Sequence, residues 1–179
     1  MTVDSGTNLL TEILNQPVIV RTRRNHGLEH ATIHILTQQQ HRLLIAGHSN
    51  ANGFWILGDV PTEALAAAVM EALRRLRAGE RHLALHPNCG TNFITAGTLA
   101  GLAGAAAMLG VGKRGRDILE RLPLAASLAT LMLILSQPLG RKLQEQITTT
   151  PDMGSLEVVK IVRTQNRRIV AHRITTRSS

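Results

Sequence analysis

Apolar residues return at the third or fourth position through Leu65, Val69, Leu73 and Leu76, the spacing of one buried face on an α-helix. The segment opens at Pro61-Thr62-Glu63, gathers Arg74, Arg75 and Arg77 near its end and stops at Gly79, so a helix is predicted over 61–79. A second helix is predicted over 25–39, where Leu28, Ala31, Ile33, Ile35 and Leu36 stand among histidines and Asn25 suits the N-cap. Short apolar runs at 43–46 and 54–57, separated by GHSNANG, read as a β-hairpin, and 83–85 as a further strand. The stretches 156–162 and 168–174 read as two strands joined at TQN, a basic β-ribbon.

Two stretches carry no such alternation. Residues 93–112 hold no charge and residues 122–140 hold none either, with the basic loop KRGRDILER between them. At the α-helical rise they measure about 30 and about 28 Å, the thickness of a bilayer core. A soluble amphipathic helix needs a polar stripe, and neither stretch has one, so a transmembrane helical hairpin is expected in preference to a buried helix pair. Gly97, Gly101 and Ala105 share one face that suits close approach to the second helix. Thr91 or Asn92 is expected to cap the first helix, Pro123 to stand in the first turn of the second, and Pro138 to end or bend it.

The resulting fold class is α+β: a small His-rich domain with short strands and two helices, plus a two-helix transmembrane hairpin. The expected organisation is 1–92 as an N-terminal α+β region, 93–140 as the hairpin, and 141–179 as a β-ribbon packing with the N-terminal region. A spanning hairpin keeps the parts before and after it on one side. The N-terminus shows no cleavable export signal, so a multi-pass protein of the inner (cytoplasmic) membrane with both termini cytoplasmic is expected.

Composition changes this picture in two ways. With 179 residues, 44% of them apolar and 18% charged, the chain suits one ordered domain and not a disordered polymer. Its net charge of +8 calls for an anionic partner, either nucleic acid or an anionic bilayer surface. Stacking platforms for nucleic acid are scarce, since Phe54, Phe93 and Trp55 are the only aromatic residues of the Phe, Trp and Tyr class. Lys160, Arg163, Arg167, Arg168, Arg173 and Arg177 therefore read as contacts to anionic headgroups, worth about 1 kcal/mol each near a surface. One cysteine excludes a disulfide framework and a Cys-rich zinc module.

The chemistry concentrates in RNHGLEHATIHIL. At 100° per residue His26, Glu29, His30 and His34 fall within one helix face about 140° wide. His26 and His30, four apart, can share one Zn²⁺, with Glu29 beside them as general base toward a bound water. A third ligand is needed. His86 in HPNCGTN is the first candidate, Cys89 the second, with Glu71, Glu80 and His34 also open. In the reading without metal, His26 and His30 bond other groups and Glu29 pairs with Arg23 or Arg24. Cys89 has two further readings: a nucleophile with His86 as base, or a small buried filler.

The order H-x-x-E-H resembles that of the inverzincin metallopeptidases. That family draws its third ligand from a distant acidic residue on a second helix of a far larger protein, and no counterpart is evident in this chain. Over 25–174, the motifs HGLEHATI and HPNCGTN, the paired apolar stretches and TTTPDMGSLEVVKI resemble a family of small, functionally uncharacterised bacterial membrane proteins of cyanobacteria and Chloroflexi-type phototrophs. That resemblance implies a membrane protein and supplies no activity. The function expected from the residues is metal-dependent hydrolysis, including peptidase chemistry, at the membrane boundary. The rival is a non-enzymatic membrane scaffold or assembly factor. Expected partners are the lipid bilayer and a membrane protein or second copy of the chain.

Overall fold

The computed structural model describes residues 5–40, 43–166 and 169–178. They fall into two compact units, Met1–His86 with Glu145–Ser179, and Pro87–Gln144. Mixed helix and antiparallel sheet make the fold α+β.

In the first unit, α1 (Ser5–Leu14) is followed by α2 (Pro17–Gln39). Pro17 at the start costs α2 nothing, because the first amides of a helix have no intrahelical acceptor. From Asn25 to Leu36 almost every residue of α2 is buried, so this is a central helix with neighbours on all sides and no simple polar stripe. Asn25 is not a cap: it lies inside α2, donates to the Asn50 carbonyl at 2.8 Å and accepts from Thr176 Oγ1 at 2.7 Å. A buried amide must be satisfied in this way.

The sheet runs in the order β1-β2-β4-β3, with each neighbouring pair antiparallel. Its strands are β1 (Ala46–Asn50), β2 (Gly53–Leu57), β3 (Glu157–Asn166) and β4 (Ile169–Arg177). The first hairpin is thus tighter and later than predicted. β1 is made of the polar AGHSN read as a connection, and the turn is Ala51-Asn52. At the other end TQN belongs to β3 and is not the connection between the strands; Arg167 and Arg168 lie outside the described residues. Phe54, Ile56 and Ile174 point from one face of the sheet into the core.

The third helix, α3 (Thr62–Arg77), matches its pattern: Leu65, Val69, Leu73 and Leu76 join that core, and Gly79 follows with φ +96°, a conformation costly for other residues. Residues 83–85 do not form a strand. Arg81–Ala84 make a 3₁₀ turn that buries Leu83 and Ala84 and then runs extended through Leu85.

In the second unit, α4 (Gly90–Ala107) and α5 (Gly115–Leu143) pack as a helical hairpin. Cys89, not Thr91 or Asn92, is the N-cap residue of α4. Pro123 sits inside α5, which begins eight residues earlier in the loop KRGRDILER, and Pro138 is internal too. Of the glycines in α4, Gly104 is the one that faces α5, where an added Cβ would stand 4.0 Å from Ala125 O and Ala129 Cβ; Gly97 and Gly101 face open space. Gly140 lies against Asn92, with an added Cβ only 2.7 Å from its Oδ1. Asn92 in turn accepts from Gln144 Nε2 at 2.6 Å. The helices therefore run antiparallel.

Among the described residues one helix, Gly115–Thr148, is long and apolar enough to cross a membrane. The helix α4 falls short, because Gly and Ala supply little apolar surface and its first turn is Gly90-Thr91-Asn92. Apolar side chains nonetheless remain exposed on both helices, including Ile94, Leu102, Leu119, Ile134 and Leu135.

Candidate metal centre

The site is assembled on α2 by two segments that arrive from elsewhere in the chain. One is the 3₁₀ turn with Leu85 and His86. The other is 146–150, strapped to α2 by Arg23, whose Nη2 donates to the carbonyls of Gln146 and Thr149 at 2.9 and 3.1 Å. The Thr150 amide returns a bond to Arg23 O at 3.2 Å. Gly27 makes the approach possible, since a Cβ there would meet Thr150 O and stand 3.3 Å from Ala84 Cβ.

These segments deliver three backbone carbonyls to three imidazoles. His26 Nδ1 bonds Thr148 O at 3.0 Å, His30 Nδ1 bonds Ala84 O at 2.8 Å, and His34 Nε2 bonds Leu85 O at 2.7 Å. A carbonyl only accepts, so the ring nitrogen in each bond carries the hydrogen. The lone pair of the neutral ring then sits on Nε2 in His26 and His30, and on Nδ1 in His34. Orienting a histidine through its other ring nitrogen is how metal ligands are held in register. The ligand nitrogens of His26 and His30 lie within 4.8 Å of one another, a pair able to hold a metal ion.

His86 lies beside two of these rings. Its ring centre is 5.7 Å from that of His30 and 4.9 Å from that of His34, while His26 and His30 are 4.4 Å apart. Burial, and after it the positive charge His34 and His30 can carry, push the His86 pKa down to about 4, so at neutral pH it presents a neutral ring. His30 is 2% exposed; His26, His34 and His86 are half-buried.

Glu29 is 4% exposed and faces the sheet. The Ser49 hydroxyl donates to its carboxylate, which lies against Gly47 where any side chain would stand. The expected pairing with Arg23 or Arg24 does not occur: Arg23 holds carbonyls, and Arg24 bonds Asp152 through its carbonyl at 3.1 Å and its carboxylate at 3.3 Å. Burial raises the Glu29 pKa, opposed by the Ser49 bond and by attraction to His26 and His48.

Two of the other candidate ligands are engaged around α3: Glu71 and Glu80 form ion pairs with Arg74 and Arg75. Cys89 belongs to the second unit, three residues along the chain from His86. Ser49, Gly47 and the carbonyls of Ala84, Leu85 and Thr148 were not evident in the sequence. Ser49 and Gly47 sit in a polar stretch with no motif of their own, and backbone carbonyls carry no sequence signal.

A family model described as Domain of unknown function (DUF6391) matches residues 21–161. An uncharacterized protein of Picosynechococcus sp. is 37% identical over 137 residues, a stretch covering 71% of this chain and 65% of that protein. No solved structure matches the chain. His26, Glu29, His30 and His86 all fall inside the matched span, which covers well over half of the sequence, and the chain belongs to the DUF6391 family.

Proposed function

We propose that this is a membrane protein whose histidine cluster binds zinc and that its activity is metal-dependent hydrolysis. The carrying observation is the pair of Nδ1–carbonyl bonds at His26 and His30, which put both Nε2 lone pairs on one helix face. His26, His30 and His86 are the proposed ligands, with Cys89 next in line because it follows His86 by three residues. Bound zinc supplies Lewis acidity. Glu29, whose carboxylate is held by Ser49 and feels the charge of His26, would serve as the base toward an attacking water. The α4–α5 hairpin spans the bilayer as a multi-pass anchor in the inner membrane, with both termini cytoplasmic. The exposed apolar residues on both helices support that reading.

The same three carbonyl bonds also favour a second reading, in which the histidines fasten two chain segments to α2 and the protein is a membrane scaffold or assembly factor. Zinc titration of metal-free protein separates the two. A ligand that binds only the folded state stabilises by about 2.7 kcal/mol at a hundredfold excess over Kd, so zinc raises the melting temperature. The rise disappears in His26→Ala and His30→Ala, whereas Glu29→Gln keeps it and loses hydrolysis. No rise at any zinc concentration supports the scaffold. Retention in membranes after alkaline carbonate treatment tests the hairpin.

A further inference from the structure

We infer that the outer face of the four-stranded sheet is a docking surface for an anionic lipid headgroup layer. The inner face is filled by Phe54, Ile56 and Ile174. Alternation then places Trp55 and Leu57 of β2, Arg173 of β4, and Lys160 and Val162 of β3 on the opposite face, and the register lines up His48, Trp55, Arg173 and Val162 across all four strands. That face is uncovered: Leu57 and Val162 are 36% and 37% exposed, and Lys160 is exposed.

Its chemistry fits a headgroup layer. The Arg173 guanidinium lies over the Trp55 ring, 5.4 Å from its centre, and donates to Asn50 Oδ1 at 3.0 Å, which holds the positive charge there. Trp beside a basic side chain is the pairing favoured at the water–lipid boundary. The face carries Lys160, Arg173 and Arg177 against one carboxylate, Glu157, which pairs with Arg177 at 3.5 Å, so its balance is positive, and the whole chain carries +8. Single-stranded nucleic acid is the poorer fit, because continuous stacking needs more than the one aromatic residue this face offers. The proposal rests on the membrane reading above only in that a spanning hairpin tethers the chain to a bilayer.

Trp55 is the sole tryptophan, so its fluorescence reports on this face alone. The full chain is reconstituted in phosphatidylcholine vesicles with and without phosphatidylglycerol, and insertion is checked in the same samples by carbonate treatment. The expected result is a blue shift of Trp55 emission and quenching by brominated lipids only where phosphatidylglycerol is present. Both effects shrink with salt and in Lys160→Gln, at roughly fivefold weaker association per charge removed. Identical emission in the two vesicle types, from protein that resists carbonate, overturns the docking face and leaves the hairpin standing. An anionic-lipid-dependent shift from protein that carbonate extracts supports the face and removes the hairpin. Quenching by a single-stranded oligonucleotide in place of phosphatidylglycerol overturns the lipid assignment.

Discussion

The carboxylate of Glu29 on α2 occupies the volume that a side chain at position 47 of β1 would need. A buried carboxylate is thereby held between a glycine and the Ser49 hydroxyl, and the strand next to the histidine helix is built around it.

Gly47→Ala is expected to lower stability by about 1–3 kcal/mol, the usual cost of overpacking a filled interior. The paired variant with Glu29→Ala should lose less than the sum of the two single changes, because removing the carboxylate vacates the space. Denaturant unfolding of the four proteins measures the coupling.

Glu29 also gives the fold a pH signature. Its pKa is raised on folding, so protonation favours the native state. The associated stability is full below the ordinary value of 4.5 and is lost as pH rises through the raised one. Glu29→Gln, a neutral side chain of the same shape, should therefore be more stable than the parent at neutral pH, and the advantage should vanish in acid. Melting curves of both proteins across this range test the sign.

His86 acts in the opposite sense. Its pKa falls from 6.5 to about 4 on folding, so the metal-free protein keeps the corresponding stability above pH 6.5 and loses it as pH drops toward 4. Replacing His86 by Asn should flatten that part of the stability profile, as read by thermal unfolding in the presence of a chelator.

The carbonyl bonds fix tautomers. Long-range ¹H–¹⁵N spectra of metal-free protein should show the unprotonated nitrogen at Nε2 in His26 and His30 and at Nδ1 in His34. A His30 protonated at Nε2 would remove the basis for its role as a ligand.

In the hairpin, Gly104→Ile should destabilise the helix pair by about 1–3 kcal/mol through collision with Ala125 and Ala129. The same change at Gly97, which faces open space, should be tolerated. Unfolding in detergent compares the two.

What the sequence announced and what it hid divide along physical lines. α3 was legible because one face is apolar and the other polar. The start of α2 was not, because its first turns are Arg-rich and half exposed and only Pro17 marks their beginning. β1 escaped notice for a related reason: AGHSN is an edge strand whose glycine answers to Glu29, not to strand propensity. The spacing of His26, Glu29, His30 and His34 put them on one helix as expected, and His86 does meet His30 and His34. The sequence could not tell that Glu29 turns toward Ser49 and not toward an arginine, nor that three carbonyls orient the rings. Ser49 stands 20 residues from Glu29, and the carbonyls come from segments roughly 50 to 120 residues away along the chain. The small-residue face was misjudged because Gly97, Gly101 and Gly104 offer equal room, and only the packed hairpin selects Gly104.

The metal content of the purified full-length protein tests the central claim most directly. Close to one equivalent of zinc is expected, lost in His26→Ala and His30→Ala, retained in Glu29→Gln, and reduced in His86→Ala. A folded protein free of metal, with unaltered stability when zinc is added, would contradict it.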